Sequence, residues 1–333
     1  MPDLRRWLSQ MIRNLNLWEF TQAAELGTNE HRLIPVGEVF LKGSPAMVAR
    51  SLTLPFQIFR DFSRAEELTG MSKRFVRDVL FQEPDEEWDE ALCLDAFLWH
   101  GNYWHWIMEC LPKVLLAEEQ GFAGLYLIPD NDLFAESMSL LGIAPERVRR
   151  NKGALLRIKN LYVSPRVEGV KLIEHLPLLA KLRDRLVPKT EGAADKRYYL
   201  TRNLPGVTVR RIVNEDQILP LLERFGFEPY CGDGRNMAQQ MADFAQCRAV
   251  FGPHGAAFTN ALFMPPEGLL LEATSPHYIY HHIQPVIRLL RHRHFSLVAV
   301  RGDPGFPLSD EPNLYIDPVV LETILLRELE PVR

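Results

Sequence analysis

The chain has no excess of positive charge, no closely spaced cysteines and no long apolar run, and each absence removes a class of function. Its 38 Lys and Arg are outnumbered by 43 Asp and Glu, for a formal net charge of −5. No basic tail and no interleaving of aromatic with basic residues offsets that balance, so nucleic acid is not the expected partner. Cys93, Cys110, Cys231 and Cys247 lie far apart with no C-x-x-C pair, and a reduced compartment is the economical inference. No stretch is long and apolar enough to cross a bilayer, and the first residues lack the apolar core of a signal peptide. A cytoplasmic location, with the inner membrane face as a peripheral site, is the expectation. Residues 1–20 do hold Leu4, Trp7, Leu8, Met11, Ile12, Leu15 and Trp18 at helical spacing, with Arg5, Arg6 and Arg13 between them. Such a helix either lies on an anionic membrane surface or docks on its own domain.

What is present suits a soluble protein of ordinary core size. The 333 residues suggest two domains. The second half alternates strands with helices of about 10–15 residues, the pattern of a parallel sheet covered on both faces. Strands are predicted at 198–201, 227–230, 249–251, 269–272 and 295–300, and helices at 214–225, 236–247, from Ala256, and at 278–291. The first half is less regular, with strands near 91–94, 125–129 and 155–163 and helices at 103–120, 132–141 and 172–186. The polar stretch 188–196 reads as a linker between lobes 1–187 and 197–333. The fold class is therefore α/β, two lobes with a cleft between them.

The most informative segment runs from Ala249 to Glu272. It reads as a buried strand, a loop with Gly252 and Gly255, a helix, a proline stop and a second strand ending in a carboxylate. Glycines without a Cβ let the loop turn sharply and approach a ligand. A helix opening at Ala256 presents unpaired amides and a positive dipole end, a seat for phosphate. Glu272 follows His254 by 18 residues, like the carboxylate that takes ribose hydroxyls in dinucleotide folds, although the fingerprint glycines are missing. An ordinary strand-to-helix turn explains the loop equally well. Arg202, just past a strand end, and Arg210 and Arg211 in the following loop have the forked geometry for a diphosphate; surface ion pairs are the alternative. Asn214 reads as the N-cap of the helix from Glu215.

Two histidine groups complete the candidates. His105 and Glu109 fall one turn apart on a helix that Pro112 should kink, among Tyr103, Trp104 and Trp106, a mixture suited to a sugar-binding wall. A core histidine bonded to a neighbouring carboxylate is the competing reading. His277, His281, His282, His292 and His294 invite a metal, but no Asp, Glu or Cys nearby in sequence completes a site. With Arg288, Arg291 and Arg293 they read better as a basic surface facing an anionic acceptor.

Several of these segments fall in the order seen in glycosyltransferase family 61, which the chain resembles over about residues 95–320. They are Asn102-Tyr-Trp-His-Trp-Ile-Met-Glu109, Tyr199-Leu-Thr-Arg202 with Arg210-Arg-Ile-Val-Asn-Glu215, Gln240, Gly252-Pro-His-Gly-Ala-Ala-Phe-Thr-Asn260 and Leu271-Glu272. The resemblance implies a GT-B fold, two Rossmann-like lobes with a donor cleft between them, and inverting transfer from a UDP-sugar to an acceptor hydroxyl of a glycan or glycolipid, with no obligatory metal or other cofactor. It implies donor contacts from Arg202, Arg210, Gly252, His254, Gly255, Ala256 and Asn260, Glu272 on the uridine ribose, and His105 and Glu109 facing the sugar. Histidine titrates near neutral pH, which makes His105 the candidate base, with Glu109 orienting it or taking its place. Ala257 and Phe258 stand where the family commonly has a smaller Gly-Leu pair. Polysaccharide pyruvyl transfer and non-catalytic nucleotide-sugar binding are the competing functions.

Overall fold

The computed structural model describes residues 33–42, 47–50, 58–59, 77–94, 101–163, 176–188, 194–275, 282–301 and 312–330. The cationic stretch 1–20, His277 and His281 lie outside them, as do residues 189–193 of the expected linker. The chain divides into two compact units, Met1–Glu168 and Gly169–Arg333. Both are α/β.

The first unit is built on a mixed sheet in the order β3-β2-β1-β7-β4-β5-β6. Its strands are β1 (Ile34–Lys42), β2 (Met47–Arg50), β3 (Ile58–Phe59), β4 (Glu86–Cys93), β5 (Leu125–Pro129), β6 (Val148–Asn151) and β7 (Leu156–Val163). β4, β5, β6 and β7 run parallel, and β1 joins β7 antiparallel. Alternation decides the two faces: Val39, Leu41, Trp88, Leu156 and Ile158 are buried, while Arg157 reaches Glu38 and Glu87, and Lys159 reaches Asp89, on the wet side. The β1–β3 region has no counterpart in the sequence-based expectation.

The second unit carries β8 (Lys196–Leu200), β9 (Phe227–Tyr230), β10 (Cys247–Pro253), β11 (Leu269–Thr274) and β12 (Arg293–Val298), all parallel, in the order β12-β11-β10-β8-β9. A short antiparallel pair, β13 (Val300–Arg301) and β14 (Leu314–Tyr315), lies beyond it. All six residues of β11 are buried, as expected of an inner strand covered on both faces. Tyr199 stacks on Phe251 at 5.5 Å between β8 and β10, within a core that includes Ile218, Leu222, Phe225, Leu271 and Leu325. Each such side chain contributes roughly 1.5–3 kcal/mol on leaving water. Successive strands add outward on either side of β8, so the chain reverses direction between β8 and β10. In open parallel sheets that reversal opens a crevice at the carboxyl ends of the strands, where ligands collect.

Local structure departs from expectation at three places. The helix from Ala256 is a 3₁₀ helix, Ala256–Phe263, in which Phe258 N–H bonds back three residues to the Gly255 carbonyl at 3.0 Å. The tighter winding suits a short connector. Asn214 makes no side-chain cap; its amide donates to the Ile316 carbonyl (2.8 Å) and its Oδ1 accepts the Ile316 N–H (3.0 Å). A tertiary partner 102 residues away wins the side chain from the local helix end. Finally, the helix from Tyr103 is α-helical to His105, π-helical over Trp106–Cys110 and α-helical again over Leu111–Glu119. Pro112 has no N–H to offer Met108, and the wider turn, closed by Leu111 N–H to the Trp106 carbonyl, absorbs the break.

Candidate functional site

The reversal of direction places the tips of β8 and β10 side by side, and the charged groups of the second unit gather there. Arg202 lies just past β8, and its Nε donates to the Val209 carbonyl at 3.3 Å. Arg210, at the far end of the same loop, donates from Nη1 to the His254 carbonyl at 3.0 Å, just past β10. Arg210 holds φ at 55°, a left-handed conformation costly for a residue with a side chain. A methyl group placed on Gly255 would stand 3.2 Å from Arg202 Nη1 and 4.0 Å from Arg210 Nη1. Two guanidinium groups therefore meet over one bare Cα.

The loop carrying both arginines is tied down by Glu215, to which sequence reading gave no role. Its Oε1 accepts from Tyr199 Oη (2.6 Å) and Thr201 Oγ1 (2.7 Å), and its Oε2 from Asn203 Nδ2 (2.5 Å). Burial, and then the bond to Glu215, pushes the Tyr199 phenol above its ordinary pKa and keeps it a donor. Asn203 also bonds the Ile212 carbonyl and accepts from Arg211 Nε. Arg211 accordingly serves the loop itself.

Beside Gly255, the residue after β10 joins β11 and β12 in one largely buried chain of hydrogen bonds. His254 Nδ1 meets Glu272 Oε1 at 2.6 Å, and His294 Nε2 meets Glu272 Oε2 at 3.1 Å. Glu272 is 2% exposed. Burial alone would raise its pKa, but the hydrogen bonds and charges of the two histidines overcome this and hold it at about 2. His282 stands 6.2 Å from His254, ring centre to ring centre.

His292, immediately before β12, also lies inside. Burial lowers its pKa to about 4, and its Nε2 faces the Ala261 carbonyl at 3.1 Å. Arg293, the next residue, is exposed and bonds Glu328. The expected basic surface is thus corrected. Arg288, Arg291 and Arg293 are exposed, but His292 and His294 turn inward, because side chains alternate along an extended chain.

Two further candidates in this unit, Gly252 and Asn260, take structural positions. Gly252 lies within β10, and a Cβ there would come 2.8 Å from both the Cβ and the carbonyl oxygen of Leu200. Its bareness serves the close approach of β10 to β8. Asn260 is 1% exposed and donates to Gln240 Oε1 at 3.1 Å, joining the 3₁₀ helix to the helix Met237–Ala245. Phe258 is buried, so its bulk is directed into the core and away from the loop. Gly255 and Ala256 open the 3₁₀ helix, and the first amides there precede its internal bonds.

In the first unit, Asn102 caps the helix by accepting from the Trp104 and His105 amides at 2.9 and 3.4 Å. His105 Nδ1 meets Glu109 Oε2 at 2.7 Å, and both side chains are partly exposed, at 23% and 13%. Two of the three neighbouring aromatic residues do not form a wall. Trp104 is buried, and Trp106 stacks on Phe134 at 4.4 Å and donates to Ser137 Oγ at 2.8 Å. Among the described residues, no group of three or more His, Cys, Asp or Glu is placed to hold a metal ion, and no helix is long and apolar enough to cross a membrane.

At the reversal point of its parallel sheet, the second unit gathers two arginines, a bare glycine and a buried acid. The chain belongs to glycosyltransferase family 61: the Glycosyltransferase 61 family model matches residues 103–271, just over half of its length. The matched span includes the His105–Glu109 pair, both arginines and the Gly255 loop. A search of curated proteins found no match.

Proposed function

We propose that this protein transfers a sugar from a UDP-sugar to an acceptor hydroxyl of a glycan or glycolipid, with inversion and without a metal, in surface polysaccharide or glycolipid assembly. The observation that supports this best is the meeting of Arg202 and Arg210 at Gly255. In this reading the diphosphate lies against that glycine, bonded by the two guanidinium groups and the amides that open the 3₁₀ helix. The acceptor oxygen attacks the anomeric carbon as the bond to the diphosphate oxygen breaks, and UDP leaves with the electron pair. The acceptor proton passes to His105, held by Glu109. The arginines neutralise the charge that develops on the leaving group, a task a divalent metal performs elsewhere. Glu272 and Asn260, expected at the donor, are assigned to bracing, since both already serve buried partners. A GT-B arrangement, which membership of this family suggests, belongs to the same proposal.

The test is a thermal-shift panel of nucleotides and nucleotide sugars, with and without chelator, on wild type and Arg202→Ala. UDP and a UDP-sugar should raise the unfolding temperature whether or not chelator is present. Arg202→Ala should lower turnover by about 100-fold or more. No response to UDP, or a response to phosphoenolpyruvate in its place, overturns the reading.

A further inference from the structure

The His254–Glu272–His294 chain has a property that neither histidine has alone. An ionised carboxylate only accepts hydrogen bonds, so His254 Nδ1 and His294 Nε2, which face its two oxygens, must both carry hydrogen. The terminal torsion of a glutamate is broad, and a single bond to His254 would leave the carboxylate free to turn. His294, from the adjacent strand, removes that freedom. β11 and β12 pair Leu270 with His294 and Glu272 with Ser296, so His294 and Glu272 lie on one face of the sheet, one step apart. The constraint then passes along His254, whose N–H donates to the Ala273 carbonyl at 2.8 Å and whose carbonyl receives Arg210.

We propose that His294 is a positioning residue for the donor site: through Glu272 it fixes the tautomer and orientation of His254, and so the carbonyl on which Arg210 is seated beside Gly255. The inference rests on the diphosphate reading for its effect on binding, but not for its effect on His254.

The two parts are separated by measuring both. In the ligand-free full-length protein, 15N NMR of the histidine side chains should show His254 protonated at Nδ1. His294→Leu removes the bond to Glu272, and His294→Asn keeps a polar group too short to reach it. In either variant the Nδ1–H signature of His254 should weaken, and the dissociation constant for UDP, measured by calorimetry, should rise about tenfold. His294→Gln places an amide nitrogen near the original Nε2 and should restore both to within about threefold in affinity. Unchanged His254 signals and unchanged UDP affinity in folded Leu and Asn variants would overturn the proposal, as would a Gln variant as impaired as the other two. If wild type itself fails to bind UDP, the diphosphate reading falls, while the NMR comparison still decides the role of His294.

Discussion

Two histidine–carboxylate pairs of nearly equal length occupy this molecule, and they are made in opposite ways. His105 and Glu109 meet at 2.7 Å within a single helical segment, partly exposed, four positions apart. His254 and Glu272 meet at 2.6 Å deep in a sheet, joined by a third residue from another strand. A partly exposed pair contributes little to stability and keeps its groups accessible for chemistry. A buried pair demands full hydrogen bonding and becomes part of the fold. The same residue types are thus accessible in one unit and part of the fold in the other.

Removing each carboxylate should separate these tasks most strongly. Glu272→Ala leaves two inward-facing histidines without their acceptor and should cost about 3–5 kcal/mol, read from urea unfolding. Glu109→Ala should cost no more than about 1 kcal/mol by the same measurement. Equal losses would erase the distinction.

Acid should then act on the second unit. The Glu272 pKa falls from an ordinary 4.5 to about 2 in the fold, so its contribution is complete above pH 4.5 and is lost as the pH drops toward 2. His292 is held neutral, with its pKa lowered from 6.5 to about 4, so the unfolded chain takes up its proton first and stability declines between pH 6.5 and 4. Each amounts to roughly 3 kcal/mol. Unfolding free energy measured from pH 7 to 3 should fall throughout, and His292→Gln should flatten the upper part of that curve.

His105→Ala probes the exposed pair in turn. It should reduce kcat by about 100-fold while leaving the urea midpoint unchanged, the reverse of the pattern at Glu272. Turnover at wild-type level would remove His105 as the base.

The two glycines should show effects smaller than the loss of Glu272. Gly252→Ala drives a methyl group against Leu200 and should cost about 1–3 kcal/mol of stability. Gly255→Ala presses only on the far end of the Arg202 side chain, with the Pro253 carbonyl oxygen and Arg210 Nη1 at ordinary contact distance, so it should leave stability within about 0.5 kcal/mol and weaken UDP binding. Calorimetry and urea unfolding on both variants would show whether the two losses divide in this way.

Much of the second unit was legible beforehand because its signals are local. Buried runs such as Leu269–Leu271, the glycines of the loop and the alternation of strands with helices each declare themselves within a few residues. The His105–Glu109 pair was equally readable, since the helical repeat alone brings those positions together. Expectations failed where a tertiary partner competed with a local one: Asn214 left its helix end for Ile316, and Trp106 turned from the surface to Phe134 and Ser137. The strands β1, β2 and β3 of the first sheet were missed because they carry no motif: β1 pairs with distant β7, and β2 and β3 add in turn beside it.

By itself, then, the sequence determined the α/β class, the family motifs and the residues of the proposed donor site. Tertiary structure alone decided that Glu215 would bind the loop after β8, that Arg202 and Arg210 would meet at Gly255, and that His294 would complete the buried chain. The reason is physical. These partners lie on strands, a helix start and loops that are separate in sequence, and only the packing of the parallel sheet with its connections brings them together.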